Sequence, residues 1–62
     1  MSKVEVKNTG VSAYEGDDIG VYVDGVLDRG FNSLSDDYAW TNAGDHREYL
    51  IRKLEREAKN ES

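Results

Sequence analysis

The chain has no cysteine and no proline, and a single histidine, tryptophan and phenylalanine, among 62 residues. Without cysteine there is no disulfide. With one histidine there is no Cys/His set for a structural zinc, so neither common staple of mini-proteins is open to it. The longest uninterrupted apolar run is three residues, far short of the ~20 needed to cross a bilayer or the ~7–15 of a signal-peptide core. These absences lead us to expect a soluble, cytoplasmic protein. Basic residues are scarce as well, eight against thirteen acids, for a net charge of −5. That balance argues against recognition of nucleic acid by phosphate neutralisation and against adhesion to anionic membranes. A chain this short buries only ~60% of its unfolded surface, so one domain over 1–62 is expected.

What is present is ordered by period. Val4 and Val6 alternate with Lys3, Glu5 and Lys7, and Asn8-Thr9-Gly10 is a turn signal. With Asn8 and Thr9 as the loop, Val6 would face Val11 and Val4 would face Ala13, giving a hairpin over 3–7 and 10–14. Ile19-Gly20-Val21-Tyr22-Val23 runs into Asp24-Gly25, a strong two-residue hairpin signal, with Val26 to Phe31 as the return strand. Ile19, Val21, Val23 and Val26 then share one face, and Tyr22, Leu27 and Phe31 the other. Gly20 and Gly30 fall within strands, where glycine weakens the ladder or marks a bulge.

From Asn32 the pattern turns polar. Ser33 or Ser35 could cap a short helical turn through Trp40, with Thr41-Asn42-Ala43-Gly44 ending it. Asp45, with Glu48 three residues on, then caps a helix over 46–59. Leu50, Ile51, Leu54 and Ala58 form its apolar stripe, and Leu54 is expected at the centre of the contact with the sheet. Glu48–Arg52, Lys53–Glu57 and Glu55–Lys59 are oppositely charged pairs at i, i+4. The fold class is therefore α+β: an antiparallel sheet of three or four strands over 3–31, a loop or helical turn over 32–44, and one C-terminal helix packed on one face.

Reactive chemistry finds little footing. His46 has no second histidine for a metal site, and it reads as a surface or capping residue. Ser12, Ser33 and Ser35 have no nucleophile context, and the glycines form neither GxGxxG nor GxxxxGK[ST]. Asp17 and Asp24 could open a calcium loop, but Ile19 and Val26 occupy the third positions where an oxygen ligand is required. No catalytic residue, metal or cofactor is expected, and the chain does not read as an enzyme.

The distinctive feature is aromatic side chains among acids. Residues 15–45 hold eight acids against Arg29, a net of −7, whereas 46–62 hold five bases and four acids. Tyr14, Tyr22, Tyr38 and Trp40 lie among those acids. Aromatics beside carboxylates suit an Arg- or Lys-rich surface, by charge and by cation–π contact. The candidate partner-binding residues are Asp17, Asp18, Asp24, Asp36, Asp37, Tyr38 and Trp40, facing a basic site on another protein. Two alternatives stand beside this. One is a small nucleic-acid-binding regulator using Arg47, Arg52, Lys53 and Arg56; the other is a structural subunit of a larger assembly. Apolar residues on both sheet faces also suggest a homodimer.

In size, acidity and want of cysteine and catalytic residues, the chain resembles the small acidic accessory proteins with which bacterial viruses inhibit host enzymes or defence systems. Some of those present carboxylates where a nucleic-acid-binding protein expects phosphates. The resemblance implies an inhibitor of a nucleic-acid-processing enzyme, acting in the host cytoplasm. The mixed charge of 46–62 departs from the most acidic of these DNA mimics.

Overall fold

A computed structural model describes residues 3–60. Strands β1 (Val4–Asn8), β2 (Ile19–Val23) and β3 (Val26–Phe31) form an antiparallel sheet in the order β1-β2-β3, and helix α1 (Ala39–Asn60) packs across one face. Five strand residues span ~17 Å, whereas 22 helical residues span ~33 Å. The helix therefore outruns the sheet, and the molecule measures 45 × 20 × 11 Å.

The β2–β3 hairpin follows from its turn. Asp24 and Gly25 both have positive φ, 53° and 84°, as a two-residue type I′ turn requires, and Val23 pairs with Val26 across it. Further along, the register shifts: Tyr22 faces Leu27 but Val21 faces Arg29, leaving Asp28 as an extra residue. This bulge reverses the side-chain parity of the rest of β3. Phe31 consequently pairs with Ile19 and is buried beneath the helix. It does not share the outer face with Leu27, as strict alternation predicted.

The strand expected over 10–14 does not form. β1 pairs instead with β2, placing Val4 opposite Val23 and Val6 opposite Val21. Cross-strand pairs of β-branched residues on the core face favour this over pairing with Val11 and Ala13. Residues 12–16 are turned, not extended: the Ser12 carbonyl accepts from the amides of both Glu15 and Gly16, at 2.9 and 3.0 Å.

The helix also begins earlier than its sequence suggested. Asp36 is the cap, its carboxylate accepting from the Tyr38 amide at 2.9 Å and from the Asn42 side chain. Gly44 and Asp45 lie inside the helix; Gly44 does not end a turn and Asp45 does not start one. Extending the helix back buries Ala39 and Ala43 against the sheet, a gain a break at Gly44 would forfeit.

The core comprises Val4, Ile19, Val21, Phe31, Ala39, Ala43 and Leu50, with Val6, Val23, Ile51 and Leu54 packed around it. Leu50, 7% exposed, is the main helix anchor; Leu54 is half-buried and Ala58 exposed. The small residues at 39 and 43 bring the helix N-terminus close to the sheet and leave Leu50, a full two turns on, to fill the wider space.

The outer sheet face is closed in part by its own residues. A Cβ at Gly20 would stand 2.7–2.9 Å from the side chains of Leu27, Thr9 and Tyr22. One at Gly30, its cross-strand partner, would fall on the Asp17 carboxyl group. With Phe31 on the other side, the outer face keeps Tyr22 and Leu27 of the three apolar residues expected there, with Leu27 50% exposed.

Candidate functional site

At the end of the sheet where β1 leads out and β2 begins, two irregular segments, 9–18 and 32–38, are joined by hydrogen bonds. The Asn32 side-chain amide donates to the carbonyls of Ala13 and Gly16, at 2.8 and 2.7 Å. Its oxygen accepts from the amides of Leu34 and Ser35, both at 2.9 Å, an Asx arrangement that folds its own segment. Asn32 thus uses both side-chain hydrogens and accepts twice at its oxygen. Beside it, the Asp18 carboxylate accepts from the Ser33 hydroxyl at 2.5 Å and from the Ser33 amide at 2.9 Å. The hydroxyl bond, with the amide bond second, holds the Asp18 carboxyl group below its ordinary pKa, against a smaller opposing effect of burial. Thr9 closes the first segment, its hydroxyl donating to the Asp17 carbonyl at 2.7 Å.

This loop end displays what it does not bury. Tyr14 is 89% exposed, Tyr38 71%, and Leu34 56%. Around them stand Glu15, Asp17, Asp18, Asp36 and Asp37, with no lysine or arginine in 9–18 or 32–38. The N-terminus of α1 lies at this same end, where its dipole favours the negative charge of Asp36 and Asp37.

Of the residues singled out in the sequence, the fold gathers Asp17, Asp18, Asp36, Asp37 and Tyr38 here. Asp18 and Asp36 are committed to structure, one to Ser33 and the other to the helix cap, which leaves Asp17, Asp37 and Tyr38 with Glu15 and Tyr14 as the available contacts. Asp24 is elsewhere. It lies at the opposite end of β2, ~17 Å away by strand rise, and its carboxylate accepts from the Lys3 amide at 2.8 Å. Trp40, 54% exposed and outside the core cluster, stands on the helix flank that carries Arg47 seven residues on. That flank faces β1, since the Arg47 Nε donates to the Val4 carbonyl at 3.1 Å.

The basic helix residues do not make a uniform patch. Arg47 is drawn to the Val4 carbonyl, and the surface bearing Arg52, Lys53 and Arg56 also bears Asp45, Glu48 and Glu57. One pairing escaped the sequence reading: His46 Nε2 lies 2.6 Å from the Asp28 carboxylate, with Phe31 edge-on and Tyr49 stacked against the imidazole. His46 is thus a half-buried brace between helix and sheet. Alternation from Val26 already puts Asp28 on the helix-facing side of β3; the pairing was hidden because nothing in the sequence marks the helix register that sets His46 above it. The shallow depression beside it, lined by Arg29, Phe31, Asp36, Asn42, Asp45 and His46, carries no hydroxyl or thiol nucleophile.

Among the described residues, no three His, Asp or Glu side chains come together as metal ligands, and no helix is long and apolar enough to cross a membrane. Comparison of the chain with protein-family models, with curated proteins and with solved structures finds no match.

Proposed function

We propose that the protein is a non-enzymatic binding protein whose loop end docks on a basic surface of another protein. The observation that carries this reading is the joining of 9–18 to 32–38 by Asn32 and Asp18, which displays Tyr14, Leu34 and Tyr38 amid acids with no base between them. Fixing the backbone that carries those side chains before contact reduces the entropy lost on binding. Aromatic anchors ringed by charge suit an interface in which the ring fills a pocket and the carboxylates steer the approach. The narrowest form of the proposal is an inhibitor of a nucleic-acid-processing or defence enzyme, of the kind bacterial viruses use, with Glu15, Asp17 and Asp37 standing where phosphates would.

The test separates the acidic end from the helix. Lysate proteins captured by the parent, by Glu15→Gln/Asp17→Asn/Asp37→Asn, and by Arg52→Gln/Lys53→Gln are quantified side by side, and each purified hit is titrated at two salt concentrations. A partner lost from the acidic-end variant, kept by the helix variant and weakened by salt supports the reading. Equal capture by parent and acidic-end variant overturns it. Binding of a generic DNA duplex that depends on Arg52 and Lys53 would establish the nucleic-acid alternative instead.

A further inference from the structure

The two edges of the sheet are not equally protected. β3 is interrupted by its bulge at Asp28, and bulges twist an edge away from pairing. β1 is regular over its whole length, every residue in register with β2. The bonds at its ends fix which groups face inward: the Lys3 carbonyl accepts from the Asp24 amide, and the Thr9 amide donates to the Asp18 carbonyl. Residues 3, 5, 7 and 9 therefore bond to β2. By the alternation of antiparallel ladders, the amides and carbonyls of Val4, Val6 and Asn8 point away from the sheet; the Val4 carbonyl already accepts from Arg47 Nε at 3.1 Å and has its second lone pair left for a partner strand.

Charge selects what can pair there. An antiparallel partner strand must align outward-bonding residues with outward-bonding residues. If the partner is β1 of a second copy, a two-fold axis at Val6 sets Val6 opposite Val6, Val4 opposite Asn8, and Glu5 opposite Lys7 on both sides of the axis. Shifting the axis to residue 5 or 7 places Glu5 against Glu5 or Lys7 against Lys7 instead. The alternation Lys3-Val4-Glu5-Val6-Lys7 is thus self-complementary in one full-length register and self-repelling in the adjacent two.

We infer that two copies of this chain pair through β1 in that register, forming a six-stranded sheet. The glutamate–lysine contacts lie on the outer face, in positions where cross-strand side chains approach most closely. Glu5 exchanges the exposed Lys3 contact, 3.6 Å in the single chain, for Lys7 of the second copy. A two-fold perpendicular to the sheet puts both helices on the same face. Each straddles β2, reaching β3 through His46–Asp28 and β1 through Arg47–Val4. Their axes then stand about three strand spacings apart, ~14 Å. Helices in direct contact stand ~8–10 Å apart. The half-exposed Trp40 lies on the flank that faces this gap, beside the partly buried Ile51, and in the antiparallel arrangement the two Trp40 side chains enter it from opposite sides. The inference is independent of the loop end's role, since it uses different residues.

Sedimentation of the parent from about 10 μM to 1 mM, a range that resolves micromolar to millimolar association, should show a monomer–dimer equilibrium. Glu5→Lys and Lys7→Glu each convert two attractions into two repulsions, and each should raise the dissociation constant at least about tenfold. The double variant Glu5→Lys/Lys7→Glu, and an equimolar mixture of the two single variants, should both associate as the parent does, because complementarity is restored. Asn8→Pro removes an amide hydrogen that β2 does not use and should give a folded monomer by circular dichroism. A parent that sediments as a monomer throughout the range overturns the inference. So does a dimer indifferent to the single charge reversals.

Discussion

The two ends of this molecule are held by different physics. At the loop end, segments 9–18 and 32–38 have almost no apolar burial and are fixed by side chains bonding to backbone, Asn32 and Asp18 above all. At the other end the helix runs on beyond Leu54 with every residue exposed through Asn60, supported by helix propensity and by charges at i, i+4. The loop end is acidic and aromatic; the helix end mixes Arg56 and Lys59 with Glu55 and Glu57. Asp36 and Asp37 stand just ahead of the helix N-terminus and Lys59 in its last turn, where the dipole favours each. Order without a core is therefore obtained twice, once by specific hydrogen bonds and once by repetition of a local conformation. Only the first fixes an irregular backbone in one shape, which is why the loop end is the better candidate for recognition.

The largest effect should come where both ends meet the core. Leu50→Ala removes the helix anchor and should cost ~2–5 kcal/mol, a large share of what so small a domain possesses. Leu54→Ala, at a half-buried site, should cost less, and Ala58→Ser should fall within ~0.5 kcal/mol. Denaturant melts of the three give the gradient. An equal loss at 50 and 54 would mean that the sheet reaches further under the helix than the burial pattern shows.

Asn32→Asp is a sharper probe of the loop end. It keeps the oxygen that accepts from Leu34 and Ser35 but puts a second oxygen against the carbonyls of Ala13 and Gly16, where two donated bonds had been. The expected loss is ~1–3 kcal/mol. Amide exchange should quicken in 12–18 while 50–60 exchanges as in the parent. Uniform acceleration along the chain would show that the two ends unfold together and are not separately held.

The sequence yields these two ends unequally. Asp24-Gly25 announces its hairpin because only a few residues tolerate two positive φ angles in succession, and the sheet-then-helix order follows from a change of period. Asn8-Thr9-Gly10 carries the same kind of turn chemistry but joins β1 to nothing adjacent, because Val21 and Val23 offer Val6 and Val4 better partners than Val11 and Ala13. Phe31 is misplaced by one unmarked bulge, since a single inserted residue inverts everything after it. Gly44 reads as a stop, yet burial of Ala39 and Ala43 outweighs the ~1 kcal/mol that a glycine costs within a helix. The acids of the candidate site are visible as composition. What the sequence hides is that Asp18 and Asp36 are structural: Ser33 lies 15 residues from Asp18 and meets it only once 9–18 and 32–38 are joined, and Asp36 caps a helix that starts at Ala39 and not at 46.

Acid should separate the two ends by the smallest but most specific effect. The Asp18 carboxyl group has a folded pKa below its unfolded value because ionisation is favoured by the Ser33 bonds. A depressed pKa stabilises the fold only where the group is ionised. Its contribution is thus complete above the ordinary aspartate value of ~3.9 and is lost as pH falls through the lowered folded value. Protonation there also turns one acceptor oxygen into a donor facing the Ser33 hydroxyl, so the tie between 9–18 and 32–38 should slacken first. Asp18→Asn, which cannot ionise, should melt at a lower temperature than the parent at pH 7. The difference should shrink as pH drops below ~4, while amide exchange over 50–60, corrected for its intrinsic pH dependence, stays alike in the two proteins. If the two melting curves remain parallel down to pH 2, the Asp18–Ser33 contact does not hold the loop end, and Asn32 does so alone.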